Sequence, residues 1–380
     1  MREKKILHFI DSGGLYGAEK VLLNISREMI HEGDFLPVVG CIVQTDDEDN
    51  DLYMEALRLG IDAERLRINN KNVLIDIWRV ARKLRSMSIG CIHSHGYKPS
   101  VFGFLISKLT GIPIIATCHL WYMGGKKPFT QRAMISMELF LYKFFPKVIA
   151  VSKPIKQFLV RSGVPESKVA IIKNGIPLID HGAKEKSSLA RYRKELGVSE
   201  DAFLLLNVAR LTEQKAQDII ISAAKTLKEQ HIGFAIMIVG EGPLRNKYEE
   251  LIRQWALSDC VKLLGFRTDI KELLAVADCF LLPSRDEGLP IALLEAMAAK
   301  TPAIVTAVGD IPELLVHEQS ALFVPVGHIQ SIVHAVTWMM SHKKQGEEMA
   351  EAAYAMVRDN YSAAVMYKEY HEIYEAVIHH

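Results

Sequence analysis

Arg285-Asp286-Glu287-Gly288-Leu289-Pro290-Ile291-Ala292-Leu293-Leu294-Glu295-Ala296-Met297-Ala298-Ala299 decides how this 380-residue chain reads. Two carboxylates, separated by seven intervening residues, bracket a helix start. Proline suits the first helical position because it has no amide proton to leave unsatisfied, so the helix is predicted to begin at Pro290. Glu287 then lies in the preceding loop and Glu295 in the second turn. Free amides from Leu289 to about Leu293 make an anion-binding end, and a phosphate group suits them. Carboxylates on either side of a phosphate would repel it unless they accept hydrogen bonds from hydroxyls of the same ligand. A phosphate flanked by hydroxylated rings is a sugar nucleotide. Read without a ligand, the segment is an amphipathic core helix with an acidic first turn.

Working outward, strand-like and helix-like segments alternate along the whole chain. Strands are predicted at 4–10, 36–43, 89–93, 113–118, 147–151 and 168–173, then at 203–209, 234–239, 261–264, 279–282, 302–306 and 321–324. Helical periodicity fills most gaps, as in Ala18–Ile30, Val73–Met87 and Ile219–Lys228. Such alternation predicts parallel sheets covered by helices on both faces, and two series predict two domains. The expected α/β layout is a first Rossmann-like domain over 1–178 and a polar linker over 179–200. A second Rossmann-like domain follows over 201–358, then a terminal segment, 359–380, read as helix from Ser362 to Ile378.

In the second half, Asn207-Val-Ala-Arg-Leu-Thr-Glu-Gln-Lys-Ala216 places Arg210 and Lys215 between a strand end and a helix start. Open α/β sheets bind ligands at that carboxyl edge. A guanidinium and an ammonium held there would stabilise a departing diphosphate without a metal. Val239-Gly-Glu-Gly-Pro243 and Leu264-Gly-Phe-Arg-Thr268 are further turns on the same edge. In the first half, Phe9-Ile-Asp-Ser-Gly-Gly-Leu-Tyr-Gly-Ala-Glu19 is a strand, a glycine turn and a helix start. His119 closes the strand Ile114-Ile-Ala-Thr-Cys-His119. The His93-Ser-His95 pair has metal-ligand spacing, but the sequence implies no third ligand, so packing or an acceptor-loop role is expected.

The Glu287 to Glu295 segment resembles the Glu-x7-Glu motif of retaining glycosyltransferases of family 4, which have the GT-B fold. The resemblance covers nearly the whole chain and is strongest from about 204 to 325. It implies two Rossmann-like domains facing across a cleft, with a last helix crossing back to the first domain. It further implies sugar transfer from a nucleotide-diphosphate donor to an acceptor hydroxyl with retention, in cell-surface polysaccharide or glycolipid synthesis. By the same resemblance Arg210 and Lys215 hold the diphosphate, Glu287 the donor-sugar hydroxyls and Glu295 both ribose hydroxyls. The backbone of Gly288 and Leu289 meets phosphate and sugar, and His119 meets the donor sugar. Gly240, Gly242 and Phe266 border the nucleotide, and Gly14 and Gly17 belong to the matching glycine loop of the first domain. A UDP-sugar is the preferred donor, no metal is expected, and a glycan or lipid-linked acceptor completes the partners. A sugar-nucleotide epimerase of the same fold and an NAD-dependent oxidoreductase using the Gly13 to Gly17 turn are the alternatives, although the latter turn lacks Gly-x-Gly-x-x-Gly spacing.

Lys+Arg total 46 and Asp+Glu 45, a balance that argues against nucleic acid as a partner. Five scattered cysteines without a Cys-x-x-Cys pair suit a reducing cytoplasm. Neither a signal peptide nor a spanning segment is read. The acidic run Asp46–Asp51 contains Asp-x-Asp, a metal motif elsewhere, and is read here as a solvated loop. Trp121-Tyr-Met-Gly-Gly-Lys-Lys-Pro-Phe-Thr-Gln-Arg132 mixes aromatics and cations before a helix containing Met137, Phe140 and Phe144. Such a segment could touch the inner face of an anionic membrane, and a mobile acceptor loop is the blander expectation.

Overall fold

A computed structural model describes residues 4–15, 17–45, 48–69, 71–119, 129–178, 186–199 and 201–379. The chain forms two compact units: Met1–Gly175 with Ala363–His380, and Ile176–Ser362.

Unit 1 runs β1 (Lys4–Ile10), α1 (Gly17–Glu32), β2 (Phe35–Val43), α2 (Asp51–Arg58), β3 (Asp62–Arg67), α3 (Val73–Ser86) and β4 (Ile89–His95). It continues with α4 (Tyr97–Thr110), β5 (Ile114–Cys118), α5 (Phe129–Tyr142), β6 (Val148–Ala150), α6 (Lys153–Arg161) and β7 (Val169–Ile171). The strands form one parallel sheet in the order β3-β2-β1-β4-β5-β6-β7. Alternate side chains divide between two cores. Leu7 and Phe9 of β1 pack with Ile77, Val80 and Leu84 of α3 and Ile106 of α4, while Ile10 packs with Leu22 and Leu23 of α1. This period-two split is what a parallel sheet buried on both faces requires.

β3 was not among the expected strands. Its sequence, Asp-Ala-Glu-Arg-Leu-Arg, buries only Leu66. As the sheet's edge strand it is paired to β2 along one side only, so its charged side chains reach water. The acidic run before it serves the local backbone: Asn50 caps α2, its Oδ1 accepting from Tyr53 N at 3.0 Å. Asp46 and Asp47 lie outside the described residues.

Unit 2 runs α7 (Lys186–Glu195), β8 (Phe203–Val208), α8 (Gln217–Glu229), β9 (Phe234–Val239), α9 (Arg245–Gln254), β10 (Val261–Gly265), α10 (Ile270–Val276) and β11 (Cys279–Leu282). After them come α11 (Ile291–Ala298), β12 (Ala303–Thr306), α12 (Ile311–Leu314), β13 (Leu322–Val324), α13 (Ile329–Ser341) and α14 (Lys343–Asn360). The sheet order is β10-β9-β8-β11-β12-β13, all parallel. α7 occupies part of the stretch expected to be linker. Its Leu189 and Tyr192 pack on the core, and Arg193 pairs with Asp278 at 3.0 Å. A helix this polar has little apolar periodicity to reveal it.

The last helix, α15 (Ala363–Ile378), belongs to unit 1, in keeping with the expected return. Two of its three buried tyrosines find polar partners in the sheet, whereas the Tyr367 hydroxyl has none among the described residues. Tyr374 Oη lies 2.7 Å from His93 Nδ1, and Tyr370 Oη lies 3.0 Å from Thr117 Oγ1. Burial of those rings drives docking, and the hydroxyl partners fix the helix position.

Candidate active site

In unit 2 the chain leaves β8 toward β9 on one side and returns at β11 on the other. β8 and β11 therefore flank the switch point, where an open parallel sheet leaves a crevice for ligands. The loops at these two carboxyl ends carry Arg210 and Lys215 on one side and Ser284 to Leu289 on the other.

They meet there. Lys215 Nζ donates to both carboxylate oxygens of Glu287, at 2.7 and 2.6 Å. Ser284 Oγ donates to Glu287 Oε1 at 2.6 Å. The Glu287 side chain is 4% exposed and that of Lys215 21%, so the ammonium offsets a carboxylate otherwise costly to bury. Arg285, to which the sequence assigned nothing, stitches the loops together. Its amide donates to Gln214 O at 2.8 Å, and its guanidinium pairs with Asp218 at 2.7 Å. The Arg210 guanidinium is exposed and has no partner among the described residues.

α11 begins one residue later than expected. Pro290 is its N-cap, extended at ψ 114°, and the Pro290 carbonyl accepts from Leu293 N at 3.0 Å and Leu294 N at 3.2 Å. The free set is correspondingly shifted: the amides of Gly288, Leu289, Ile291 and Ala292 donate to no described residue, whereas that of Leu293 does. Glu295 stands half-buried in the second turn. Phe266, beyond the end of β10, is 65% exposed, an unusual setting for a phenyl ring.

Gly240 and Gly242 do steric work. A Cβ on Gly240, which sits at φ +135°, would lie 2.1 Å from Ala209 O, and one on Gly242 would lie 2.4 Å from Leu211 O. The β9 turn thus abuts the backbone on both sides of Arg210, and Leu211 N donates to Glu241 O at 3.0 Å. Only glycine permits this approach.

Sequence reasoning missed a brace on the other side. Thr306 Oγ1 donates to Ser284 O at 2.6 Å. Gly309 sits at φ +57°, where a Cβ would fall 1.9 Å from Glu287 O. The turn after β12 therefore supports the Glu287 loop from behind. The available signal was a glycine in another strand-to-helix turn, Ala307-Val308-Gly309-Asp310, on the same edge. Gly309→Ala should cost about 2 kcal/mol or more of stability from strain and clash. It should also cost about a hundredfold in turnover by displacing Glu287. Chemical denaturation and kcat, read beside the control Gly233→Ala, whose Cβ would meet nothing within 4 Å, check this.

In unit 1 the switch point lies between β1 and β4. Gly14 sits at φ 151° in the loop after β1, and Gly17 opens α1. Ser12 Oγ lies 2.8 Å from Gly14 O and 3.0 Å from Glu19 Oε1, and Asp11 pairs with Lys98 of α4 at 2.6 Å. The third imidazole that the sequence did not supply for His93 and His95 comes from β1. In the β1–β4 register His8 stands opposite His93. Their ligand-type nitrogens gather within 4.8 Å of one another, a grouping able to hold a metal. Each ring already has partners: both nitrogens of His93 meet hydroxyls, of Tyr374 and Thr117, at 2.7 Å.

His8 Nδ1 lies 3.2 Å from His95 Nε2, and His95 Nδ1 lies 3.4 Å from His119 Nε2. The far nitrogen of His8 faces Met29 Sδ at 3.5 Å. Sulfur can only accept, so that contact calls for the proton on Nε2 of His8. Nδ1 then accepts from His95, and the order repeats to His119. Burial keeps all four rings neutral, holding His8 down to about 3 and His119 to about 4, with His93 and His95 also well below the usual imidazole value. The segment Trp121 to Pro128 that follows His119 lies outside the described residues.

Two parallel α/β units with loop constellations at their carboxyl edges make the GT-B fold. Over 98% of this chain and 99% of the other, the fold is similar to that of Anabaena HepE, solved in complex with UDP-glucose, with a TM-score of 0.81 at 21% identity. The model described as Glycosyl transferases group 1 matches residues 190–356, and that of Glycosyltransferase Family 4 matches residues 16–179. An uncharacterised glycosyltransferase of Methanocaldococcus jannaschii is 30% identical over 294 residues, 75% of this chain and 74% of the relative. The Escherichia coli UDP-Gal:alpha-D-GlcNAc-diphosphoundecaprenol alpha-1,3-galactosyltransferase is 28% identical over 284 residues, 73% and 72% of the two chains. The chain belongs to the family 4 glycosyltransferases. Membership decides against the oxidoreductase alternative.

Proposed function

We propose that this glycosyltransferase moves a hexosyl group from a nucleoside-diphosphate sugar, preferably a UDP-sugar, to an acceptor hydroxyl with retention of configuration and without a metal. The carrying observation is the Lys215–Glu287 pair at the switch point, with the Arg210 guanidinium on the Lys215 loop and the amides of Gly288 and Leu289 on the Glu287 loop without partners among the described residues. Before donor binds, Lys215 and Glu287 neutralise each other. When it binds, sugar hydroxyls take over hydrogen bonding to Glu287, and Lys215 turns with Arg210 to the diphosphate, where charge grows as the glycosidic bond breaks. The acceptor hydroxyl attacks from the same face, and its proton passes to the departing phosphate oxygen. Glu295 holds the ribose, and Phe266, Gly240 and Gly242 border the nucleotide. The neutral ring of His119 hydrogen-bonds the sugar without adding charge, and the glycine loop offers the Gly17 amide, with that of Gly14 donating to Ser12 Oγ at 3.3 Å until ligand displaces it.

The HepE complex and the name of the Escherichia coli relative support a UDP-sugar donor, and that name supports a lipid-linked acceptor in polysaccharide or glycolipid synthesis. Such an acceptor calls for work at the inner membrane face. Among the described residues no helix is long and apolar enough to cross a bilayer, so the contact proposed is peripheral.

The test is the Arg210→Ala/Lys215→Ala double variant, assayed for UDP-sugar hydrolysis and transfer in EDTA. Loss of about a thousandfold or more is expected. Wild-type rates in the double variant overturn the diphosphate assignment. Wild type that converts the donor sugar to its epimer without transferring it to an acceptor points to the epimerase instead.

A further inference from the structure

The chain is electrically balanced, but one face of unit 1 is not. α3, α4 and α5 pack side by side over the sheet. Their outward surfaces hold a concentration of large apolar side chains left in water. On α3 these are Leu74 at 77%, Ile75 at 60% and Trp78 at 58% exposure. α4 adds Leu105 and Leu109, and α5 with the turn after it adds Met137, Phe140 and Phe144. The aromatic part is continuous: Phe140 and Phe144 are 5.4 Å apart by ring centroids, and Phe144 and Phe104 of α4 are 6.2 Å apart.

Cations are interleaved with these rings. Arg82 lies over Trp78 at 5.9 Å, Lys108 over Phe104 at 5.3 Å and Lys143 over Phe140 at 5.9 Å. Arg79 and Lys83 of α3, with Arg65 and Arg67 of β3, also line a pocket of about 380 Å³ on the flank. Arg79 pairs there with Asp76 at 3.0 Å, Arg67 approaches Asp76 at 3.9 Å and Lys83 pairs with Glu64 at 2.5 Å. The three helices contain only two carboxylates, Asp76 and Glu138, and both are buried. Their solvent face is therefore apolar and cationic, with no exposed acid.

We infer that the outer face of α3, α4 and α5 docks on an anionic bilayer. A protein partner could cover apolar side chains, but a face without one exposed carboxylate is complementary to a uniformly negative surface. Exposed aromatics with adjacent Lys or Arg are the side chains that settle at the headgroup boundary, ring toward acyl chains and charge toward phosphate. The long cationic stems lie along apolar surface and keep their charges at headgroup depth. This inference gives the peripheral contact proposed above a definite surface. It does not depend on the donor, because docking is read without one.

Flotation of the full chain with vesicles of phosphatidylethanolamine and phosphatidylglycerol, against vesicles of phosphatidylcholine, tests it. Wild type is expected to float with the anionic vesicles only, and less as salt rises. Each cation near such a surface contributes about fivefold in partitioning (~1 kcal/mol). Simple removal of three therefore predicts about a hundredfold loss, and Arg82→Glu/Lys108→Glu/Lys143→Glu should lose at least that. Trp78→Ser/Phe140→Ser/Phe144→Ser should also cease to float. UDP affinity and the unfolding midpoint, measured in parallel, show that both variants are folded. Three results overturn the inference: wild type that stays with neither vesicle, equal flotation on both, or either variant floating like wild type. Sedimentation showing a dimer that the serine variant dissolves, without vesicle binding, assigns the face to a second copy of the chain instead.

Discussion

Replacing Lys215 by alanine should lower turnover by about two to three orders of magnitude, the usual range for removing one group that meets charge developing in the transition state. Nucleotide affinity should fall far less, because Arg210 and the helix end still meet the diphosphate in the ground state. That split, a large kcat effect with a small change in binding, separates transition-state stabilisation from general binding. The same substitution leaves Glu287, with its side chain 4% exposed, without its cation. Breaking a fully buried pair costs about 3–5 kcal/mol, and the partial exposure of Lys215 reduces that to about 1–2 kcal/mol. Lys215→Ala/Glu287→Gln removes the orphaned charge, so it should recover stability but not turnover. Stopped-flow kinetics and urea unfolding of the two variants give both readouts. A kcat within threefold of wild type for Lys215→Ala sinks the assignment.

Unit 1 should lose several kcal/mol of stability between neutral pH and pH 5. His8, His93, His95 and His119 are buried and held neutral, with values below the ordinary 6.5, His8 to about 3 and His119 to about 4. The unfolded chain takes up protons below 6.5 while the folded one does not, so acid favours unfolding. The stability is whole above 6.5 and declines as pH falls toward the folded values. At pH 5 His8 and His119 each contribute a loss of about 2 kcal/mol. His93 and His95 act in the same direction, against a total of only ~5–15 kcal/mol for an ordinary domain. Hydrogen exchange at pH 5 and 7, resolved by segment, should show β1, β4 and β5 opening first in acid. His8→Leu should flatten the dependence by its share, and equal protection at the two pH values would contradict the neutral cluster.

Much of the carboxyl edge of unit 2 was legible because local sequence dictates local geometry. Strand-like runs alternate with helical periodicity, and the residues between them fall at strand ends whatever the sheet order. Arg210, Lys215, Glu287 and Glu295 could therefore be placed on one edge from their positions alone. The charged edge strand β3 and the polar helix α7 escaped, since each buries few apolar residues and so carries little periodic signal. Pro290 was misplaced by one position because a proline serves equally as cap or first residue, and the hydrogen bonds to its carbonyl decide.

Other features arise from contacts between segments far apart in the chain, and no local pattern encodes them. The 2.7 Å contact of Lys215 with Glu287 depends on β8 and β11 being neighbours. Gly240 and Gly309 read as ordinary turn glycines until the backbones of Ala209 and Glu287 are found where their side chains would be. His8 joins His93 and His95 only through the β1–β4 register. By itself the sequence determined the α/β alternation, the family and which residues stand on the carboxyl edge of unit 2, because strand period, helix start and charge type are local properties. Tertiary structure alone decided which of those residues neutralise each other, which glycines hold them and which imidazoles share a core. Those are distances across a sheet, set by strand order and close packing.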